Sequence, residues 1–437
     1  MGTLEDFFEF RKNHTDLATE VRAGVITFLT MSYIIVVNPS ILSKAGMPFD
    51  GVLLATVLIT AFSSLFMGLY AKLPFALAPG MGLNAFFAFT LCLGMGIRWQ
   101  TALGVVFLSG LAFFILTITQ IREMIVDAVP ACIRYGVAGG IGLFLSLIGL
   151  SSVGFIRSNP VTTVAFGGFS ANVLLFIFGL ALMVSLLALR IKGTLILGVL
   201  VTSIVGLIAF KLFPDQAPLM KLPDHWFSVP STEILFSLDI RSALTVGMLV
   251  PIFTFLFTDL FDTLSTLLGV SEVGGFIEKD GKPKNVSKAL MVDAVSTIFS
   301  SLSGSSPGTT YIESASGIRE GGRTGFTAVI AGLLFLPFIF FSPILSFIPA
   351  AATAPVLVIV GLFMLKPLKN IDWDRIEEAF PAFLSLILIP LCYSITQGII
   401  WGFLSYTLLM TVKGKIREIP FMIFIIDVFA LVALVLI

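Results

Sequence analysis

Long apolar runs dominate the chain, each about as long as the roughly 20 residues a helix needs to cross a bilayer. Each is closed by a short cluster of glycine, proline or charged residues. Allowing shorter runs where Gly or Pro interrupts, the pattern predicts segments at about 20–38, 50–70, 74–90, 100–120, 133–150, 171–190 and 193–213. Seven more follow at about 243–269, 288–302, 304–319, 324–347, 350–368, 379–395 and 397–412. The expected organisation is a cytoplasmic N-terminus at 1–19, a first seven-segment repeat at 20–213, an extracytoplasmic linker at 214–241 and a second repeat at 242–418. The tail 419–437 is a further apolar run carrying Asp427, which the pattern fits equally to a fifteenth span, an interfacial helix or the true last span.

An odd number of spans per half sends the second half into the membrane in the opposite sense, so the repeat is an inverted one. Charge placement agrees. With the N-terminus cytoplasmic, twenty of the 26 Lys and Arg fall on the cytoplasmic side, and only Lys44, Arg98, Arg157, Lys211, Lys221 and Arg241 fall outside. That asymmetry is the one the positive-inside rule requires, and a miscounted span before the middle would scramble it.

Composition fits an all-α polytopic membrane protein. Hydrophobic residues make up 57% and charged ones 12%, against about 25% charged in an average soluble domain. The first twenty residues carry Glu5, Asp6, Glu9, Arg11, Lys12 and Asp16 with no apolar run, so the first span is expected to act as its own signal. Three scattered cysteines and two histidines argue against a disulfide framework, a metal centre or His-based acid–base chemistry, and a net charge of zero gives no reason to expect nucleic acid.

Two stretches break the apolar pattern at matching places. Pro79 and Gly80 interrupt the third segment, LAPGMGLNAFFAF, and Pro307 and Gly308 interrupt the tenth, SGSSPGTTYIESASG, about half the chain away. Unwound backbone exposes N–H and C=O groups that lipid cannot satisfy, so such breaks persist only where they line a polar cavity or are buried in protein. In corresponding positions of two inverted halves they point to a transporter site near the midplane, with two half-helix N-termini aimed at it. Asn84 follows the first break by five residues from Pro79, and Glu313 follows the second by six from Pro307.

Four acids of the second half, Asp259, Asp262, Asp293 and Glu313, fall inside apolar segments. Each costs at least ~2.5 kcal/mol at a helix centre on insertion scales, so each needs a reason to be there. Asp259 and Asp262 are three apart, on one helix face with Thr263 and Thr266, and no Lys or Arg in that segment pairs with them; they are candidate proton carriers. Glu313, four residues beyond Thr309 near a half-helix N-terminus, can accept hydrogen bonds from N–H groups of a ligand. Asp293, in MVDAVST, reads as a buried tie between helices, a structural acid.

These residues lie in strings that resemble the purine permease branch, the AzgA-like hypoxanthine/guanine permeases, of the nucleobase/cation symporter-2 family. The strings are LAPGMGLNAFFAF from Leu77, FTDLFDTLSTLLGV from Phe257, TTYIESASG from Thr309 and GGRTGFTAV from Gly321, with TFLTMSYIIVVNPSIL in the first span and PAAATAPVLVIVGLFM in the twelfth. The resemblance implies two inverted seven-segment repeats, a core domain of segments 1–4 and 8–11, a gate domain of segments 5–7 and 12–14, and broken half-helices in segments 3 and 10. It implies substrate contacts at Asn84, Asp259 and Glu313, with Gly82, Thr309 and Thr310 beside them, and Asp262 tuning specificity or coupling. It further implies proton symport with no cofactor beyond the coupling proton, and a homodimer in the cell membrane. Two departures, Leu264–Thr266 where the branch usually has a glycine and Ser305–Gly308 where it is commonly Thr-rich and Pro-free, bear on substrate preference more than on fold.

The expected function is proton-coupled uptake of a purine base, hypoxanthine or guanine first. Adenine uptake on the same fold is the alternative. An anion exchanger of this class is less consistent with the carboxylates around the half-helix tips. No nucleophile–base set or metal set supports an enzyme.

Overall fold

The computed structural model describes residues 2–119, 129–212, 225–277 and 283–436. A helix or broken helix stands at each of the fourteen positions read from the sequence. In the first half these are Leu17–Met31 with Ile34–Leu42, Phe49–Phe66, Met81–Ala85 running on through Phe86–Gly94, Trp99–Ile118, Ala131–Ser152, Ala171–Ala188 and Thr194–Leu212. In the second they are Leu249–Gly274, Val286–Ser303, Ser314–Arg319, Gly325–Phe335 continued to Leu345, Ala350–Met364, Ile376–Leu391 and Ile395–Val412. Nine helices among the described residues are long and apolar enough to cross a membrane, so the chain is a multi-pass membrane protein. Arg122, Lys221, Lys279, Lys282 and the first part of the linker, 214–224, lie outside the described residues.

The packing has the symmetry of an inverted repeat. Segment 4 packs on segment 9 and segment 11 on segment 2; segment 4 also meets segment 8 as segment 11 meets segment 1. Segment 5 lies along segments 12 and 13, while segment 12 lies along segments 5 and 6. Thus these main contacts of one half have counterparts in the other. The largest contacts fall within two groups, segments 1–4 with 8–11 and segments 5–7 with 12–14. Contacts of segment 14 with 8 and segment 7 with 1 join the two groups.

Local chemistry sets the ends. Asp16 caps segment 1, its carboxylate accepting from Thr19 N at 2.8 Å. Segment 9 stops at Gly304, whose φ of 95° only glycine adopts readily, close to the expected end near 302. Among the described residues are four short strands: β1 (Leu77–Pro79), β2 (Ile156–Asn159), β3 (Thr163–Phe166) and β4 (Gly308–Thr310). The hairpin β2–β3 connects segments 5 and 6. The tail forms a helix, Phe421–Leu436, packed against segment 14, with Phe429 stacked on Phe253 of segment 8 at 5.9 Å.

Candidate functional site

The two breaks meet each other. β1 and β4 pair antiparallel, Leu77 opposite Thr310, Ala78 opposite Thr309 and Pro79 opposite Gly308. Gly80 N donates to Pro307 O at 2.9 Å and Tyr311 N to Ala76 O at 2.9 Å, so backbone that lipid could not satisfy is satisfied across the repeat. Prolines at the end of β1 and just before β4 tolerate this, since a strand end needs no N–H from them. Closeness demands glycine here: a Cβ on Gly308 would stand 2.3 Å from Ser296 Oγ and 3.0 Å from Ile59 Cγ2. Behind the strands, Ser63 of segment 2 and Ser296 of segment 9 share a hydrogen bond of 2.6 Å.

A cavity of about 380 Å³ opens beside the paired strands. Gly82, Thr309, Thr310, Asp262 and Glu313 line it, together with Tyr33, Arg134, Tyr135, Phe363 and Lys366. Five of the residues singled out in the sequence therefore meet at one wall. Glu313 precedes the half-helix Ser314–Arg319, and its Oε1 accepts from the buried Tyr33 hydroxyl at 2.7 Å, which leaves Oε2 for a ligand. Tyr33 sits at the break between the two helices of segment 1. The Tyr311 hydroxyl donates to Pro79 O at 2.6 Å and locks the strand pair to its own turn. The Thr310 hydroxyl is buried with no hydrogen-bond partner among the described residues.

The two half-helix tips differ. At segment 3, Gly80 provides no side-chain cap, and the first-turn N–H groups of Met81 and Gly82 have no intrahelical acceptor. At segment 10, the N–H groups of Ser314, Ala315 and Ser316 are already bonded to the carbonyls of Tyr311, Ile312 and Glu313. Segment 3 thus contributes donors to the cavity, and segment 10 contributes the Glu313 carboxylate.

Asn84, Asp259 and Asp293 stand outside the cavity wall. Asn84 is fully buried, its Oδ1 accepting from the Ser306 hydroxyl and its Nδ2 facing Met81 Sδ at 3.9 Å. Asp259 accepts from Thr297 at 2.6 Å, and Asp293 accepts from Thr263. Asp259 and Asp293 are therefore each held by a threonine of the other's helix, behind the wall. The second oxygen of each carboxylate has no hydrogen-bond partner among the described residues. Asp262, one turn along from Asp259, lines the cavity, as does Glu272 at the end of the same helix. Phe86 and Phe87 are buried, Phe86 against Phe255 at 4.8 Å, and belong to the packing. Among the described residues no cluster of His, Cys, Asp and Glu is arranged to hold a metal ion.

Tyr33 was not legible in the sequence as a site residue. It lies in an apolar run with no Gly or Pro beside it to mark the break. Lys366 and Phe363 read as an ordinary cytoplasmic end of segment 12.

A family model described as a permease family matches residues 18–400. A putative permease of Methanocaldococcus jannaschii is 47% identical over 431 residues, covering 98% of this chain and 97% of its own length. A guanine/hypoxanthine permease of Bacillus subtilis is 41% identical, covering 95% of this chain and 96% of its own. An adenine permease of Escherichia coli is 40% identical, covering 96% and 93%. Among solved structures, the transmembrane domain of a cyanobacterium bicarbonate transporter superposes with a TM-score of 0.66 at 16% identity, covering 88% of this chain and 97% of that one, a likeness of fold alone.

Proposed function

The chain belongs to the nucleobase/cation symporter-2 family of permeases, and we propose that it is a proton-coupled importer of purine bases, hypoxanthine or guanine first, working by alternating access. One observation carries the reading: Glu313 and Asp262, acceptors for ring N–H groups, face the same cavity as the free N–H groups of the segment 3 half-helix, which suit a 6-oxo group or a ring nitrogen. A neutral purine presents both kinds of group on one plane.

In this reading segments 1–4 and 8–11 form a core that carries the base, and segments 5–7 and 12–14 form a gate. The cavity mouth, at Lys366, Lys369 and Glu272, and the N-terminus both face the cytoplasm in this reading, a placement supported by the charge asymmetry, and the conformer is inward-facing. Protonation of Asp259 or Glu313 lets the loaded core reorient, because an uncompensated carboxylate crossing the membrane centre is costly. Asp259 and Asn84 support the wall from behind, while Asp262 faces the base directly. The functional unit in this reading is a homodimer, which a mass measurement in detergent or nanodisc checks.

The adenine reading stays in view because the adenine permease and the guanine/hypoxanthine permease are alike in identity to this chain. Uptake of radiolabelled hypoxanthine, challenged with guanine, xanthine, adenine and uracil with and without a proton uncoupler, tests the whole. Expected are competition by guanine and loss of accumulation with the uncoupler. Competition by adenine alone moves the assignment to adenine, and uptake indifferent to the uncoupler, with affinity unchanged in Glu313→Gln, removes the coupling.

A further inference from the structure

The cavity has two chemically different ends. Asp262 and Glu313 are half-buried in its wall, whereas the exposed Lys366 and Lys369 mark its mouth, with one exposed acid, Glu272, among them. The positive-inside rule brings cations to this face of any such chain but says nothing about where they point. Here the turn itself directs them. Lys366–Asn370 is a 3-10 helix, in which residues three apart eclipse, so Lys366 and Lys369 project to the same side, and both line the cavity. Lys366 Nζ stands 4.8 Å from the centroid of Phe363, another lining residue.

A neutral base has no use for these cations. The volume, about 380 Å³, lies within the range of roughly 300–1,000 Å³ that encloses a drug-sized ligand, and a bare purine has fewer than half the heavy atoms of its nucleotide. We propose that the mouth is an anion site at which a purine nucleoside 5′-phosphate enters from the cytoplasm, its base at Glu313 and Asp262 and its phosphate at Lys366 and Lys369. The nucleotide is not carried. The base ligands belong to segments 8 and 10 and the lysines follow segment 12, so the bound molecule straddles the two groups of segments and holds them from moving past one another. Import is then restrained by the phosphorylated purine pool that it feeds. This inference rests on the purine reading of the inner end.

The test is counterflow of radiolabelled hypoxanthine in proteoliposomes, with guanosine 5′-monophosphate supplied to one face at a time. Inhibition is expected from the Lys366 face only, at concentrations about tenfold below those at which guanosine acts, because charged hydrogen bonds to phosphate are the strong ones. The pair Lys366→Gln/Lys369→Gln should lose that tenfold advantage of the monophosphate over guanosine, read as the ratio of the two within the variant, while Lys415→Gln/Arg417→Gln, cations outside the cavity, should keep it. A second measurement needs no variant: inhibition of the wild-type protein should weaken as ionic strength rises. Equal potency of guanosine and its monophosphate, equal inhibition by uridine 5′-monophosphate, or an effect indifferent to both salt and the lysine pair overturns the proposal. Base counterflow with no inhibition by the nucleotide sinks this inference alone; absence of base counterflow sinks the purine reading as well.

Discussion

Tyr33 and Glu313 show how a single hydrogen bond can set the chemistry of the site. With Oε1 occupied by the tyrosine hydroxyl at 2.7 Å, Glu313 presents one oxygen to the cavity in a fixed direction. Tyr33→Phe removes the donor and frees the carboxylate to rotate, and hydrogen bonds to charged groups contribute about 1.5–3 kcal/mol. The expected result is a rise of about tenfold or more in KM for the purine with expression and thermal stability close to wild type, read by uptake kinetics. An unchanged KM would mean that Glu313 does not act on substrate through this bond. The buried acids behave differently. Thr297→Val strips Asp259 of its one hydrogen-bond donor among the described residues and leaves the carboxylate without compensation, which should cost about 1–3 kcal/mol of stability. A fall in melting temperature in detergent, with substrate affinity held in the molecules that remain folded, checks it. Residues three apart on a helix differ by a fraction of a turn, so the sequence could bring Asp259 and Asp262 to one face yet not say which would reach the cavity.

The half-helix of segment 3 is where the site touches the group of segments that lies against it. A Cβ on Gly82 would stand 2.5 Å from Ile141 Cγ2 on segment 5. Gly82→Ala therefore wedges the half-helix away from segment 5, and overpacking of this kind costs typically about 1–3 kcal/mol. Transport should fall several-fold in Gly82→Ala and recover in Gly82→Ala/Ile141→Ala, where the opposing methyl is gone. Failure of the second change to restore transport would place the effect in the backbone of the half-helix instead. At this scale the sequence was informative in one respect and silent in another. The Pro79–Gly80 and Pro307–Gly308 steps announced the breaks because proline and glycine have few other uses inside an apolar run. That the breaks would pair as strands was hidden: three residues show no alternation, and their partners lie half the chain away. The end of segment 9 was legible, read at about 302 and found at Ser303, with Gly304 as its cap.

Across the whole molecule, two of the polar ties between the groups of segments stand in corresponding places of the inverted repeat, one near each face. Thr90 at the far part of segment 3 donates to Tyr393 O, in the turn between segments 13 and 14, at 2.9 Å. In the corresponding place of the other half, Lys192, between segments 6 and 7, pairs with Glu320 at the end of segment 10. The hydrogen bond from Lys192 holds the Glu320 carboxyl below the usual carboxylate range. A depressed pKa means that the tie is fully present above the ordinary carboxylate value and is lost as pH falls through the lowered one, so it stays closed at a neutral cytoplasm. If transport moves segments 1–4 and 8–11 past the rest, this tie cannot persist through the cycle. In a background lacking Cys92, Cys132 and Cys392, cysteines placed at 192 and 320 and joined by a short reducible cross-linker should therefore stop uptake while leaving substrate binding from the Lys366 side intact. Reduction should restore uptake. Uptake that continues at full rate while the link is shown to be closed would mean that these two groups travel together, and that the boundary of the moving unit lies elsewhere than between segments 7 and 10.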